Sequence, residues 1–233
     1  KISRIAQYSD NQLKEVVKQI YSEKTNASYS LKVLKVAMLN FDAVLFNETY
    51  NELRKTKSFD VVFEEVFVPF LYEIGVLWQT ETIKPIHEHF ISYHIYQKLV
   101  AAGNELICNQ DLVLRNVDFI LFLPENEIHE ITLLYLNFKL LQKGYNTIYL
   151  GVSTPFEDLE FISKTFPAAS FVSYFTVMPT LDNLKKYLTD FNSSILENNG
   201  VNLYVAGRQV GQLESTFSKI YFFNSYQDLI KSI

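Results

Sequence analysis

The sequence has a single cysteine, Cys108, so no disulfide can form within the chain, and a lone thiol fits a reducing, cytoplasmic setting. Its seven glycines build no G-x-x-x-x-G-K phosphate loop, no G-x-G-x-x-G dinucleotide turn and no G-x-S-x-G nucleophile elbow. The common phosphate-, dinucleotide- and acyl-handling sites are therefore missing, and a non-enzymatic role is expected. No apolar run reaches the ~18 residues of a membrane span, and no charged-then-apolar leader opens the chain, so no membrane partner is expected. Positive charge is scarce as well: 21 Lys and Arg against 26 Asp and Glu give a net charge of -5. Such a surface suits no phosphate backbone, which leaves DNA contact to a domain outside these residues.

What is present is a chain of 233 residues, 48% apolar and 20% charged, long enough for one large domain or two small ones. Two are expected, because the hydrophobic period changes near residue 110. In residues 1–110 apolar positions recur at helical spacing. Ser9 or Asp10 opens a first helix with Leu13, Val16, Val17 and Ile20; a second, long helix runs from Leu31 through Phe41 to Leu53. Ser58 caps a third, with Phe59 to Leu77 along its face and Pro69 expected to kink it. A fourth starts near Thr82 to Pro85 and reaches about Leu106. Short connections predict a four-helix antiparallel bundle.

In residues 111–233 short apolar runs alternate with helical patterns. The strands are expected at Val117 to Leu123, Asn146 to Gly151, Ser170 to Val177, Val201 to Ala206 and Tyr221 to Phe223. This alternation predicts a Rossmann-like, doubly wound five-stranded parallel sheet, giving an α + α/β protein overall. Ligands of such sheets bind beyond the carboxyl ends of the strands, so the loops at Glu125 to Glu130, Met178-Pro179 and Gly207-Arg208 should share one edge.

Two stretches carry candidate chemistry. Glu127 lies two residues before His129, at the turn from the first strand into its helix, where a carboxylate can fix the tautomer of a metal-binding imidazole. The plainer alternative is a helix start whose acids complement the helix dipole. From Trp78 to His89 run the only tryptophan and two of the four histidines. Residues two apart on a helix point to nearly opposite sides, so His87 and His89 do not make a zinc pair. Trp78 with Glu88 can instead cover and hydrogen-bond a ligand, or simply be a core ring and a solvated charge.

Taken together, a helical bundle followed by an α/β domain with an acid-x-His turn resembles the cobalamin-binding module. Glu127-Ile128-His129-Glu130-Ile131-Thr132 matches the acid and histidine of its D/E-x-H-x-x-G motif, with Thr132 at the glycine position. The helical part is similar to that of the light-sensing MerR-type regulators of the CarH and LitR group, in which tryptophan, nine residues and then Glu-His recur, as at Trp78 and Glu88-His89 here. The opening Lys1 to Asp10, which lacks an initiating Met, resembles the segment after a MerR winged-helix DNA-binding domain. The resemblance implies adenosylcobalamin, or another cobalamin form, held between the two domains. His129 would be the lower axial ligand of cobalt and Glu127 its supporting partner, while Trp78, Glu88 and His89 would lie near the upper ligand. Thr132, Ser173, Ala206 and Gly207 would line the slot for the nucleotide tail. It further implies a photoreceptor that forms a homo-oligomer and binds operator DNA through an absent N-terminal domain. Gln79 stands where the best-known members have a histidine that caps cobalt after photolysis, and Ala206 replaces the first glycine of a Gly-Gly pair. Two other readings stay open: a diverged regulator domain that takes no cobalamin or another ligand, and a corrinoid protein of a methyltransferase system.

Overall fold

The computed structural model describes residues 27–108, 116–210 and 217–233. The helix expected from Ser9 to Ile20 lies outside these residues. The chain divides into two compact units, Lys1–Lys98 and Leu99–Ile233.

The helical unit begins with α1 (Ala27–Asn40) and α2 (Ala43–Arg54). The long second helix expected from the periodicity is broken between them. Phe41 adopts φ 54°, and the amides of Phe41 and Asp42 donate to the carbonyls of Met38 and Ala37. These are the two bonds of a Schellman stop, built here without the usual glycine. Asp42 then caps α2 by accepting from the Leu45 amide at 2.9 Å. The apolar stripe is continuous across the break, so periodicity alone could not reveal it.

Ser58 caps α3 (Phe59–Val62) as expected, its hydroxyl accepting from the Val61 amide. A π-helical turn over Phe63–Phe67 leads into α4 (Val68–Gln79), with Pro69 at its start. Proline has no N–H to return to the preceding turn and its ring crowds the carbonyl there. The expected kink is thus realised as a widened turn that ends just before Pro69, which opens a fresh α-helical segment. Glu81, at φ 54°, ends α4 by a second Schellman stop, with the Thr82 amide donating to Leu77 and the Glu81 amide to Trp78. After this stop α5 (Pro85–Cys108) begins, with Pro85 in its first turn. Phe46, Phe63, Phe67, Phe70 and Ile74 are fully buried together with Leu34 and Met38 of α1. Lys35 of α1 pairs with Glu73 of α4, and the Lys98 ammonium of α5 donates to Asn47 of α2 at 2.5 Å.

In the second unit, β1 (Phe119–Pro124) is buried at every position and lies inside the sheet, one strand in from an edge. It is followed by α6 (Ile131–Gln142), β2 (Thr147–Thr154), α7 (Phe156–Thr165), β3 (Ser170–Tyr174) and α8 (Leu181–Phe191). A π turn at Asn192–Leu196 and the short α9 (Glu197–Asn199) extend α8; then come β4 (Leu203–Ala206), β5 (Ile220–Phe223) and α10 (Tyr226–Ser232). All strand pairs are parallel, in the order β2-β1-β3-β4-β5. The Rossmann-like reading of the sequence is realised, with Gly144 ending α6 at φ 88° where the sequence placed the stop.

That strand order reverses direction between β1 and β3. Loops leaving adjacent strands on opposite sides open a crevice at such a switch point, and here it lies at the carboxyl ends of β1 and β3. The aromatic core on one side of the sheet, Phe122, Phe171, Phe175 and Phe191, is fully buried and fixes both strands beneath that crevice. Among the described residues no helix is long and apolar enough to cross a membrane.

Candidate functional site

The turn after β1 is built around Glu127, whose side chain is fully buried. One carboxylate oxygen, Oε2, accepts three consecutive backbone amides from the loop after β3: Thr176 at 3.2 Å, Val177 at 2.6 Å and Met178 at 2.9 Å. The other, Oε1, accepts the amides of Ile128 and His129 at 3.0 and 3.1 Å and lies 2.5 Å from Nδ1 of His129. Burial alone would push this carboxyl up. The bonds from the His129 ring and from the Met178, Val177 and His129 amides outweigh it and hold the group down to about 2. Glu127 is therefore an anion at neutral pH, although it has no contact with water.

The consequence falls on His129, whose side chain is 54% exposed. With Nδ1 donating to a fixed carboxylate, the neutral ring carries its lone pair on Nε2. The ring orientation and tautomer are thus set by the buried partner. A half-exposed imidazole in this state, at the switch point of a doubly wound sheet, is a suitable donor for one axial position of a metal held by a larger cofactor. The donor set fits the corrinoid that the sequence resemblance implies.

The loops expected to share one edge do so. The β3 loop, which contains a cis Met178-Pro179 bond, binds Glu127 of the β1 loop, and Gln209 after β4 binds the β3 loop through Val177 O at 2.9 Å and Phe175 O at 3.2 Å. Gly207 stands at φ 123°, and a Cβ there would meet Phe175 O at 2.3 Å. Only glycine allows this approach of two backbones. Ala206 is buried and pairs with Tyr174, while the Ser173 hydroxyl is buried and donates to Phe122 O at 2.7 Å. Thr132 is partly exposed in the first turn of α6. The structure thus gathers Glu127, Ser173, Ala206 and Gly207 around the ends of β1, β3 and β4, with Ser173 and Gly207 already engaged in holding the sheet together.

The residues of the other stretch have a different character. Trp78 is 52% exposed near the end of α4. Glu88, in the first turn of α5, accepts from the Ser92 hydroxyl at 2.7 Å, and its other oxygen lies 3.6 Å from Nε2 of the exposed His89. Trp78, Glu88 and His89 thus flank the short α4–α5 connection. His87 is not among them: its ring stacks on Phe41 at 4.9 Å and its Nδ1 lies against the Lys84 backbone. His94 packs between Phe46 and Phe90. Burial first, and the nearby Lys98 second, lower its pKa, so it is a neutral packing residue.

Sequence reasoning missed the amides of Thr176 to Met178, which bind the Glu127 carboxylate alongside the His129 ring. Backbone N–H groups carry no residue signature, and the acid two residues before His129 was the only available signal. It also missed Ser153, near the end of β2, and Asn126, in the loop after β1, two residues at positive φ that meet there.

Residues 31–102 match the model of a family described as B12 binding domain. No curated protein matches the sequence. Among solved structures, the chain is similar to the monomethylamine corrinoid protein of Methanosarcina barkeri, with TM-score 0.67 and 14% identity over 85% of this chain and 94% of that one. That likeness establishes the shared fold, a helical region followed by a Rossmann-like sheet. A cobalamin-binding protein from Desulfitobacterium hafniense matches at 15% identity and TM-score 0.41, over 89% of this chain and 97% of that one. A methanol:cobalamin methyltransferase complex from Methanosarcina barkeri matches at 15% identity and TM-score 0.38, over 97% of this chain and 91% of that one. At those TM-scores neither adds to the argument.

Proposed function

We propose that the chain binds a corrinoid, with His129 as the lower axial ligand of cobalt and Glu127 as the fixed anion behind it, and that it serves as the sensory and oligomerisation domain of a MerR-type transcriptional regulator. The observation that carries the binding is the Glu127–His129 pair at the switch point of the sheet. The family match over residues 31–102 supports it from the other unit. The regulator reading rests on the sequence, in the spacing of Trp78 and Glu88-His89. Trp78, Glu88 and His89 are assigned to the upper ligand, and Thr132, Ser173, Ala206 and Gly207 to the nucleotide tail. Adenosylcobalamin is the proposed form, and when bound it supplies a light-labile cobalt–carbon bond. The protein's part is to hold the corrinoid, to orient its axial ligand and to let a change at the upper face alter a homo-oligomer that carries the DNA-binding domains. A ligand moves such an equilibrium only through contacts that differ between the two states.

The fold of the monomethylamine corrinoid protein favours a second reading, a corrinoid carrier for methyl transfer without a regulator. A single comparison separates these. Purified protein is mixed with adenosylcobalamin in the dark, freed of unbound cofactor, and followed by absorption and size-exclusion chromatography before and after illumination. Retained corrinoid, lost in His129→Ala, with an oligomer that changes on illumination is the expected result. Retention without any change of oligomer favours the carrier, and no retention overturns both.

A further inference from the structure

We infer that Ser153, at the end of β2, is a positioning residue that sets how His129 is presented; the inference rests on His129 being the axial ligand. β2 is irregular along β1. Between the pairs Phe122↔Gly151 and Pro124↔Thr154, β1 advances two residues while β2 advances three. The extra residue is accommodated in a bulge, and bulges bend a strand and re-aim a side chain. Within it Ser153 stands at φ 50°, a left-handed conformation that a non-glycine residue seldom adopts.

The bulge brings Ser153 against the acid-histidine turn at two points. Its hydroxyl accepts from the Asn126 amide at 3.0 Å, and its own amide donates to the Glu127 carbonyl at 3.1 Å. The pair Asn126-Glu127, with Asn126 itself at φ 65°, is therefore held at its leading amide and its trailing carbonyl by one residue. The β3 loop grips the Glu127 side chain, whereas Ser153 grips the Glu127 backbone. Together the end of β2 and the loop after β3 hold this turn, and one residue, Ile128, separates Glu127 from His129. A glycine would take the left-handed conformation at no steric cost, so the hydroxyl is the feature that the serine adds.

Ser153→Gly isolates that feature, because it relieves the backbone and removes only the acceptor for Asn126. The probe is cobinamide reduced to the cobalt(II) state, a corrinoid that carries no nitrogenous base of its own. Any nitrogen coordination in its electron paramagnetic resonance spectrum then comes from the protein, as a three-line splitting that His129→Ala abolishes. In Ser153→Gly the nitrogen-coordinated fraction is expected to fall roughly three- to tenfold, the weight of one hydrogen bond, with Tm unchanged or raised. An unchanged fraction overturns the positioning role and leaves the proposed function standing. A fall in both fraction and Tm assigns Ser153 to maintaining the fold and also overturns it. Wild-type protein that shows no nitrogen splitting overturns the proposed ligand, and the inference with it. Should the variant not fold, hydrogen exchange of the Asn126 amide in the wild type decides: protection supports the clamp, and exchange at the rate of a free loop overturns it.

Discussion

The turn at His129 and the stretch from Trp78 to His89 are the two stretches given ligand roles in the proposal, and they are built in opposite ways. At the turn, a fully buried carboxylate is saturated by five backbone amides and one imidazole, while Ser153 of β2 holds its backbone and the loop after β3 its side chain. In the helical stretch, Trp78 and His89 are exposed, and Glu88 is tied to its helical neighbours Ser92 and His89 among the described residues. The first arrangement fixes one side chain before any ligand arrives. The second leaves side chains on a helix end, where their conformation responds to what they meet. The proposed sensory role would use both: a rigid hold on the cofactor and a surface whose contacts change with the ligand's state.

The difference can be broken most forcefully at Glu127. Glu127→Ala leaves the Thr176, Val177 and Met178 amides without their acceptor and His129 without its partner. A loss of ~3–5 kcal/mol is expected, as for removal of one member of a buried charged network, read as a lowered denaturation midpoint. Cobalamin retention should be lost with it.

Acid probes the same carboxylate without mutation. Its folded value of about 2 lies below the ordinary 4.5, so its contribution to stability is complete above pH 4.5 and is lost as pH falls through about 2. Up to ~3 kcal/mol should disappear across that window in a series of denaturation curves. Glu127→Gln should start less stable and lack this segment of the pH dependence; an identical profile in both proteins would contradict the buried anion.

Trp78→Ala should have the smallest effect on folding, within about 0.5 kcal/mol, because more than half of the side chain is already in water. Its expected consequence is confined to the ligand: retained adenosylcobalamin should become easier to wash out while the thermal midpoint stays in place. A large loss of stability would make Trp78 a packing residue and remove the contrast between the two stretches.

The alternation of strand and helix was legible because period two and period 3.6 bury different faces, and each strand of the sheet lies where the apolar runs put it. Ser58, Pro85 and Gly144 were legible as helix boundaries because each acts through its own side chain or backbone freedom. The break at Phe41 was not, since its bonds run between backbone atoms and no glycine marks it; the end of the third helix before Thr82 was legible, but not the left-handed Glu81 that makes the stop. Glu127 and His129 could be paired from their spacing alone. Ser153 could not, because a bulge shifts β2 against β1 and that register belongs to two strands at once.

The sequence by itself determined the order of elements, the acid-histidine turn and the aromatic-acid stretch, for each depends on residues near one another in the chain. Tertiary structure alone decided that Glu127 is an anion and that His129 is held in one tautomer. Beside the local His129 ring and amides, three of the donors come from a loop about fifty residues away, and their bonds exist only once the parallel sheet has set β3 beside β1.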